Sequence, residues 1–170
     1  MAIAISVQQY LDDNGVKYDS IRHRRTGSSS ESARASFVSA DSLAKGVVLK
    51  NREGYLLTVL PSSQQADLNK VGDMLHQPVA LALEEEITSL FPDCEQGAVP
   101  PVGGAYGMQT IVDKRLDDMD DVYFEAGDHR TLVHLSAAEF HKLMQKSPHG
   151  RICADSKAGS SDMGFGYFGA

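Results

Sequence analysis

The sequence predicts an α+β domain in which a curved, mixed or largely antiparallel sheet is flanked by helices. Apolar runs with the period of strands fall into groups joined by short turns, helical segments separate these groups, and no regular β-α-β alternation is present. A chain of 170 residues with 42% hydrophobic residues is long enough for one substantial core and is typical of one globular domain.

The N-terminal part of the chain predicts two helices and a strand. Ser6 is a candidate N-cap for a helix over residues 7–14, and Gly15 is suited to end it in a left-handed conformation. The alternating segment 17–23 predicts a half-buried strand. A run of three serines then precedes a second helix over about residues 31–38.

The middle of the chain predicts a hairpin followed by two helices. Strands are expected at 45–50 and 55–60, because the intervening Asn-Arg-Glu-Gly segment is typical of a tight turn. Helices are expected at about 65–75 and 84–91.

The C-terminal part returns to strand patterns before a last helix. Strands are expected at about 109–112, 121–125 and 132–135, and the helix begins at Ser136. Residues 147–170 are rich in Gly and Ser and have no period. We therefore expect one domain at 1–146 and a C-terminal tail at 147–170.

The stretch from Gly97 to Gly107 gives the clearest chemical signal. It combines several glycines with the adjacent Pro100 and Pro101, between an acidic helical segment and the apolar run Thr-Ile-Val. Proline fixes φ and lacks an N–H, whereas glycine permits close approach, so we expect a rigid loop with exposed main-chain donors. Such a loop suits a bound carbonyl or phosphate oxygen. A plain connector between helix and strand is the other interpretation.

Six segments carry a family resemblance in their order and spacing. They are AKGVVLKN (44–51), YLLTVLP (55–61), ADLNKV (66–71), LALEEEITSLFPDCEQGAVPPVG (81–103), TIVDKRL (110–116) and VYFEAGDHRTLVHLSAAEF (122–140). Over about residues 5–146 the chain resembles the YbaK family of aminoacyl-tRNA deacylases, which is similar to the editing domain inserted in bacterial prolyl-tRNA synthetases. The resemblance implies a curved sheet flanked by helices and hydrolysis of the ester bond of a misacylated tRNA.

The resemblance also implies which residues form the first part of the site. Lys45 matches a pocket lysine that is important for deacylation in the family, although a lysine at a strand entrance is also typical of an exposed edge charge. The family position after this lysine often carries a hydrogen-bonding side chain, and here it is Gly46. This departure leaves open which amino acid is removed.

Two further residues match family positions near the end of the sheet. Asp113 matches an acidic position that shapes the site, and a turn cap at a strand end is its other interpretation. His129 matches a pocket histidine, with His134 as its rival, and a solvent-exposed turn residue is the other interpretation.

The mechanism is expected to use water rather than a covalent nucleophile. Backbone N–H groups from Gly97 to Gly103 would stabilise the ester carbonyl as it gains negative charge, in a loop that includes Ala98, Val99 and the two prolines. The family implies attack by water, helped by the ribose hydroxyl of the terminal adenosine. The sequence contains no G-x-S-x-G motif and no evident Cys/His pair, and Cys94 and Cys153 are expected to be plain thiols.

Charge limits the partners that the chain can bind. A net charge of −7 argues against broad nucleic-acid binding, because affinity for phosphates comes mainly from clustered Lys and Arg. Arg22, Arg24 and Arg25 form one basic cluster, which is either a solvated turn or a local tRNA contact. The acidic runs at 84–86 and 117–121 lack the ligand spacing of calcium loops, so we expect no metal and no cofactor.

Together these observations predict a deacylase that acts in trans on misacylated tRNA, with alanine or cysteine on tRNA-Pro as the first candidates. A non-catalytic YbaK-like binding or regulatory module is the alternative. The expected partner is the acceptor end of an aminoacyl-tRNA, and an aminoacyl-tRNA synthetase is a second candidate. No apolar run of about 18 residues and no basic-flanked apolar N-terminus are present, so a cytoplasmic protein without a membrane partner is expected. The oligomeric state stays open.

Overall fold

The computed structural model describes residues 3–155. In this range the helices are α1 (Ile5–Asp13), α2 (Ser29–Ser36), α3 (Leu68–Leu75), α4 (Glu84–Leu90) and α5 (Ala137–Met144), with 3₁₀ helices at Gly103–Tyr106 and Lys114–Asp118. The strands are β1 (Asp19–Arg22), β2 (Leu43–Asn51), β3 (Gly54–Pro61), β4 (Ala80–Leu81), β5 (Gln109–Asp113), β6 (Asp121–Glu125), β7 (Thr131–Ser136) and β8 (His149–Gly150).

The eight strands form one mixed sheet in the order β1-β7-β6-β2-β3-β5-β8, and β4 pairs with β2. The hairpin pairs β2–β3 and β6–β7 are antiparallel, as are β1–β7 and β2–β4. The pairs β2–β6, β3–β5 and β5–β8 are parallel. The predicted α+β class with a mixed sheet is therefore confirmed.

Helix α1 begins earlier than its sequence predicts. The cap residue is Ala4, whose N–H donates to the carbonyl of Ala126 at 2.6 Å. The N–H of Ser6 instead donates to Oδ2 of Asp93, so the expected role of Ser6 as N-cap is wrong. Tethering of Ala4 to the sheet fixes the helix start, and the helix still ends before Gly15, which has φ +64°.

Side chains of β2 alternate between the two faces of the sheet. Ala44 and Val48 lie in the larger core, which α1 and α5 cover. Val47 and Leu49 belong to a second core, which contains Val71 of α3. Because alternate residues of a strand share a face, Lys45 projects to the same side as Val47 and Leu49.

Residues 147–155 are part of this folded unit. β8 pairs with β5, and Ile152 is fully buried in the second core. The carboxylate of Asp113 accepts hydrogen bonds from the N–H groups of Ile152 and Cys153 at 2.9 and 3.1 Å. The first third of the expected tail thus contributes a strand and a core residue, and the rest of it, residues 156–170, lies outside the described residues.

In the described range, none of the helices has both the length and the apolar character that a membrane crossing requires.

Candidate functional site

A gap along one edge of β2 creates the candidate site. On one side β2 pairs with β3 from Ala44 to Asn51. On the other side β6 pairs only with Leu43 and Ala44, and β4 pairs only with Leu49 and Lys50. A cavity of about 320 Å³ opens at this gap, and we call it the β2 cavity. Its lining consists of Ala44, Lys45, Gly46, Val47, Val48, Leu81, Ala82, Glu84, Ile87, Gly97, Val99 and Glu125.

Main-chain groups of β2 face this cavity. The carbonyl of Ser42 accepts from Tyr123 of β6, and the carbonyl of Val48 accepts from Ala82, so both point to the edge that carries the gap. Peptide groups alternate in direction along a strand, which directs the N–H and C=O of Gly46 to this same edge. Gly46 therefore presents a main-chain donor and acceptor to the β2 cavity.

Lys45 and Glu125 are neighbours at the point where β2 and β6 separate. Their strands are parallel, and Ala44 lies beside Phe124 in the last pair of the register. Lys45 and Glu125 each follow that pair by one residue and both line the cavity. Burial lowers the pKa of the half-buried Lys45 ammonium.

A buried polar network holds Glu125. The residue is 4% exposed, and its Oε1 accepts a hydrogen bond of 3.1 Å from the hydroxyl of Ser32. The Ser32 hydroxyl also lies 2.6 Å from Oγ1 of Thr26. Nδ1 of His129 lies 3.4 Å from the same Oε1. Helix α2 and the β6–β7 turn thus converge on one carboxylate at the wall of the cavity.

His129 connects this network to the glycine-proline loop. Its Nε2 donates to the carbonyl of Gln96 at 2.7 Å, which fixes a proton on Nε2. The next residue, Gly97, has φ +85°, and a Cβ there would lie 3.4 Å from Cε1 of the imidazole ring. The histidine therefore packs directly beneath the start of the loop.

The loop approaches β2 most closely at Gly46. A Cβ on Gly46 would lie 3.0 Å from Cδ1 of Leu57, 3.3 Å from Cα of Pro101 and 3.5 Å from Cγ1 of Val99. A Cβ at position 46 would therefore be in tight contact with Leu57 and with the loop, and the glycine relieves this crowding.

The structure brings together some of the loop residues expected at the site. Gly97 and Val99 line the β2 cavity, whereas Ala98, Pro100 and Pro101 are buried and do not line it. Gly103 lies elsewhere: it lines a separate cavity of about 330 Å³ together with Tyr10 and Thr110. A Cβ on Gly103 would overlap Oγ1 of Thr110, so this glycine is required by packing in any case.

Asp113 and His134 are not among the residues that line the β2 cavity. Burial alone would raise the pKa of Asp113, but hydrogen bonds from Arg115, Cys153 and Ile152 outweigh burial and lower it. His134 is partly exposed, stacks on Tyr123 and contacts Asp19 and Asp121. Of the two candidate histidines, only His129 contacts residues of the cavity wall.

Neither cysteine is arranged as a nucleophile. Burial raises the pKa of the Cys94 thiol to about 11, and its Sγ lies 3.3 Å from Oη of Tyr106. Burial also raises the pKa of Cys153 to about 12. Both thiols are free, and neither lines the β2 cavity. Across residues 3–155 no group of three or more His, Cys, Asp or Glu side chains is arranged to hold a metal ion.

The basic cluster lies beside the loop. Arg25 forms an ion pair of 2.6 Å with Glu95, two residues before Gly97, and the N–H of Glu95 donates to the carbonyl of Gly127. The N–H of Thr26 donates to the carbonyl of His129. The segment that carries Arg22 and Arg24 is therefore attached to the same turn and loop as the cavity wall.

Sequence reasoning missed Glu125 and Ser32. The available signal for Glu125 was a carboxylate at the end of the apolar strand Val-Tyr-Phe-Glu, just before a glycine turn. Ser32 carried no such signal, because its partner is 93 residues away in the chain.

Residues 23–143 match the family model described as the aminoacyl-tRNA editing domain. Three solved structures share the fold at low sequence identity. A candidate trans-editing enzyme for prolyl-tRNA synthetase has a TM-score of 0.78 and 23% identity, covering 89% of this chain and 97% of its own. The hypothetical protein APE2540 has a TM-score of 0.77 and 22% identity, with coverages of 88% and 99%.

The third similar structure is a candidate signal transduction protein from Marinobacter aquaeolei VT8. It has a TM-score of 0.74 and 21% identity, and the match covers 93% of this chain but 32% of that longer chain. No curated protein matches the sequence.

Proposed function

Since the chain belongs to the aminoacyl-tRNA editing domain family, we propose that it hydrolyses the ester bond of misacylated tRNA in trans, at the β2 cavity. The observation that carries the proposal is the meeting of a desolvated lysine, the Gly46 peptide and the Gly97 loop around one opening. Cationic and main-chain donors around a small cavity are the arrangement that stabilises the oxyanion of acyl transfer.

In the proposed reaction, the carbonyl oxygen of the ester faces the Lys45 ammonium and main-chain N–H groups of Gly46 and the loop. Water attacks the carbonyl carbon, and the electron pair of the C=O bond moves to oxygen, where these donors stabilise it. The tetrahedral intermediate then re-forms the C=O bond and expels the ribose oxygen, which takes up the proton that the attacking water gives up. An aminoacyl ester is already activated, so positioning and charge stabilisation suffice without a covalent enzyme intermediate.

We propose a small amino acid, alanine or cysteine, as the acyl group, with tRNA-Pro as the first carrier to test. The cavity volume of about 320 Å³ has to hold the aminoacyl group and part of the terminal ribose. The structural similarity to a candidate trans-editing enzyme for prolyl-tRNA synthetase supports tRNA-Pro. A separate hydrolytic editing step is needed because the amino acid pocket of a synthetase discriminates two substrates that differ by one methylene by only ~1–3 kcal/mol.

The proposed partner is the acceptor end of the aminoacyl-tRNA in the cytoplasm, with a synthetase as a second candidate. Arg22 and Arg24, which are exposed beside the loop, are suited to phosphates close to the acylated terminus. Contact through so few cations would be local, which agrees with the net charge of −7.

A non-catalytic regulatory module is the second candidate function. It is favoured by the structural similarity to one third of a candidate signal transduction protein and by the net acidity of this chain. Such a module would bind its ligand at the β2 cavity without turnover.

A deacylation assay over a panel of mischarged tRNAs tests the proposal. The panel contains alanyl-, cysteinyl- and prolyl-tRNA-Pro, together with alanyl- and seryl-tRNA-Ala, at equal concentrations. We expect hydrolysis of at least one small aminoacyl ester well above the rate without protein, and slower hydrolysis of prolyl-tRNA-Pro. Binding of these tRNAs without hydrolysis of any would support the regulatory module instead.

A further inference from the structure

Glu125 is a buried acidic group at the wall of the β2 cavity. Stabilisation of the oxyanion in the proposed reaction requires only hydrogen-bond donors, so it gives this carboxylate no role. Glu125 is 4% exposed, it lines the β2 cavity, and its contacts include the Ser32 hydroxyl and the ring of His129. Desolvation of a carboxylate is costly unless hydrogen-bond donors and positive charge compensate it. A carboxylate at a cavity wall therefore favours a ligand that brings a positive charge to it.

The substrate of the proposed reaction carries a positive charge in the right place. An α-aminoacyl ester has an ammonium group two bonds from the carbonyl carbon that water attacks. Neighbouring strands lie about 4.8 Å apart, and Lys45 and Glu125 occupy adjacent positions on the neighbouring strands β2 and β6. The two side chains therefore start from neighbouring main-chain positions and line the same cavity, where one ligand can contact both.

Resting on the proposed function, we propose that the carboxylate of Glu125 binds the α-ammonium group of the aminoacyl ester and so restricts the enzyme to esters with a free α-amine. Ser32 and Thr26 hold the carboxylate in place through consecutive hydroxyl contacts of 3.1 and 2.6 Å. Nδ1 of His129 lies 3.4 Å from the same carboxylate, on the side of the loop. Lys45 then binds the ester carbonyl of the substrate, and Glu125 binds its α-ammonium group.

The side chain of the amino acid is left to the apolar part of the wall. Val99, Ile87 and Ala82 line this part of the cavity. Recognition of the backbone by charge and of the side chain by size explains how one cavity selects small α-amino acids as a class. A hydroxy acid or an N-acylated amino acid of the same size lacks the cation and is disfavoured.

The test compares alanyl-tRNA with N-acetylalanyl-tRNA as substrates for the wild type, Glu125→Gln and Glu84→Gln. Glutamine keeps the shape of Glu125 and an acceptor for Ser32 but removes the charge. Glu84 also lines the cavity, is exposed, and serves as the control for a general loss of negative charge. Melting temperatures establish that each variant is folded.

An α-ammonium group also makes the ester intrinsically more reactive, so each kcat/KM is divided by the uncatalysed hydrolysis rate of the same substrate. On this scale we expect the wild type to favour the free amine by about tenfold or more, since a hydrogen bond to a charged group is involved. Glu125→Gln should lose this factor on alanyl-tRNA and retain the wild-type rate on the acetylated substrate, so that the preference disappears. Glu84→Gln should retain the preference. An unchanged preference in Glu125→Gln, or an equal loss on both substrates, would overturn the ammonium site.

Two outcomes for the wild type separate this inference from the proposed function. Equal hydrolysis of the two substrates overturns the ammonium site and leaves the deacylase function in place. Hydrolysis of neither by the wild type, across the whole tRNA panel, overturns both.

A binding measurement on the wild-type protein covers the case in which Glu125→Gln does not fold. The probes are 3′-alanylamino-3′-deoxyadenosine, which has a stable amide in place of the ester, and its N-acetyl derivative. We expect the free amine to bind about tenfold more tightly by calorimetry. Equal affinities would overturn the ammonium site without reference to any variant.

Discussion

At the scale of single residues, two opposite charges organise the candidate site, at the point where the parallel pairing of β2 with β6 ends. Lys45 and Glu125 follow the last β2–β6 pair by one residue each, so the strand register rather than a flexible loop fixes their separation. Burial lowers the lysine pKa because the surroundings disfavour the charged form. A desolvated ammonium interacts more strongly with a developing oxyanion than one in water does.

The thiol of Cys94 provides a residue-scale prediction. Its pKa of about 11 lies well above neutral pH, so almost all of the thiol is protonated during turnover. Cys94→Ser should keep kcat/KM for the best substrate within about twofold of the wild type, because the thiol neither lines the cavity nor ionises. Measured deacylation rates with matched circular dichroism spectra check this. A folded Cys94→Ser protein without activity, or a trapped thioester, would move the nucleophile to Cys94.

Which site residues could be predicted from the sequence depended on whether the neighbouring sequence marks them. Nothing in the pattern distinguished Lys45 from an edge charge, and only the family resemblance singled it out. Glu125 was missed because its importance arises from its meeting with Ser32, and no local period encodes a contact across the chain. Gly46 was noted as a departure, but its packing against Pro101 was visible only in three dimensions.

At the scale of elements, the glycine-proline loop is held from both ends. His129 and the Arg25–Glu95 ion pair hold its start, and packing of Pro101 against Gly46 holds its middle. Gly97 has φ +85°, in the region that favours glycine, and it is the loop glycine that lines the cavity.

A comparison of Gly97→Ala with Gly107→Ala separates the function of this loop from its strain. Gly107 also has positive φ, at 65°, but nothing lies within 4 Å of the position that a Cβ would take there, so its alanine variant reports backbone strain alone. Both variants should lose about 1–2 kcal/mol of unfolding free energy in chemical denaturation. Only Gly97→Ala should also lose activity, by about tenfold or more in kcat/KM, because its loop positions main-chain donors.

Equal activities of the two variants would count against an oxyanion role for the Gly97 loop. Gly103→Ala is a third case, because a Cβ there would overlap Thr110 and Gly103 does not line the β2 cavity. We expect it to lose mainly stability, by about 1–3 kcal/mol from overpacking.

The sequence predicted elements well where they are long and periodic. The β2–β3 hairpin, β6 and helix α5 with its Ser136 cap lie where their patterns placed them. β4 and β8 were missed because two residues carry no period. β4 nevertheless closes one end of the gap that creates the cavity.

At the scale of the whole molecule, long-range parallel pairing makes the site. β2 and β6 are about 80 residues apart in the chain, and their short parallel contact leaves the edge of β2 open from Lys45 to Val47. The fold class was predictable from the groups of strands, but the position of this gap was not, because it depends on which strand stops pairing first. The sequence pattern does not show that residues 147–155 belong to the folded unit, because their anchoring by Asp113 is equally non-local.

The central claim is that the β2 cavity is the deacylation site, and a comparison of Lys45→Ala with Lys50→Ala tests it most directly. Both lysines belong to β2, but Lys50 pairs with Glu86 at 3.1 Å and does not line the cavity. On the best substrate of the tRNA panel, we expect Lys45→Ala to lower kcat/KM by about 100-fold or more, and Lys50→Ala to stay within about threefold of the wild type. Equal rates for folded Lys45→Ala and wild-type protein would contradict the account.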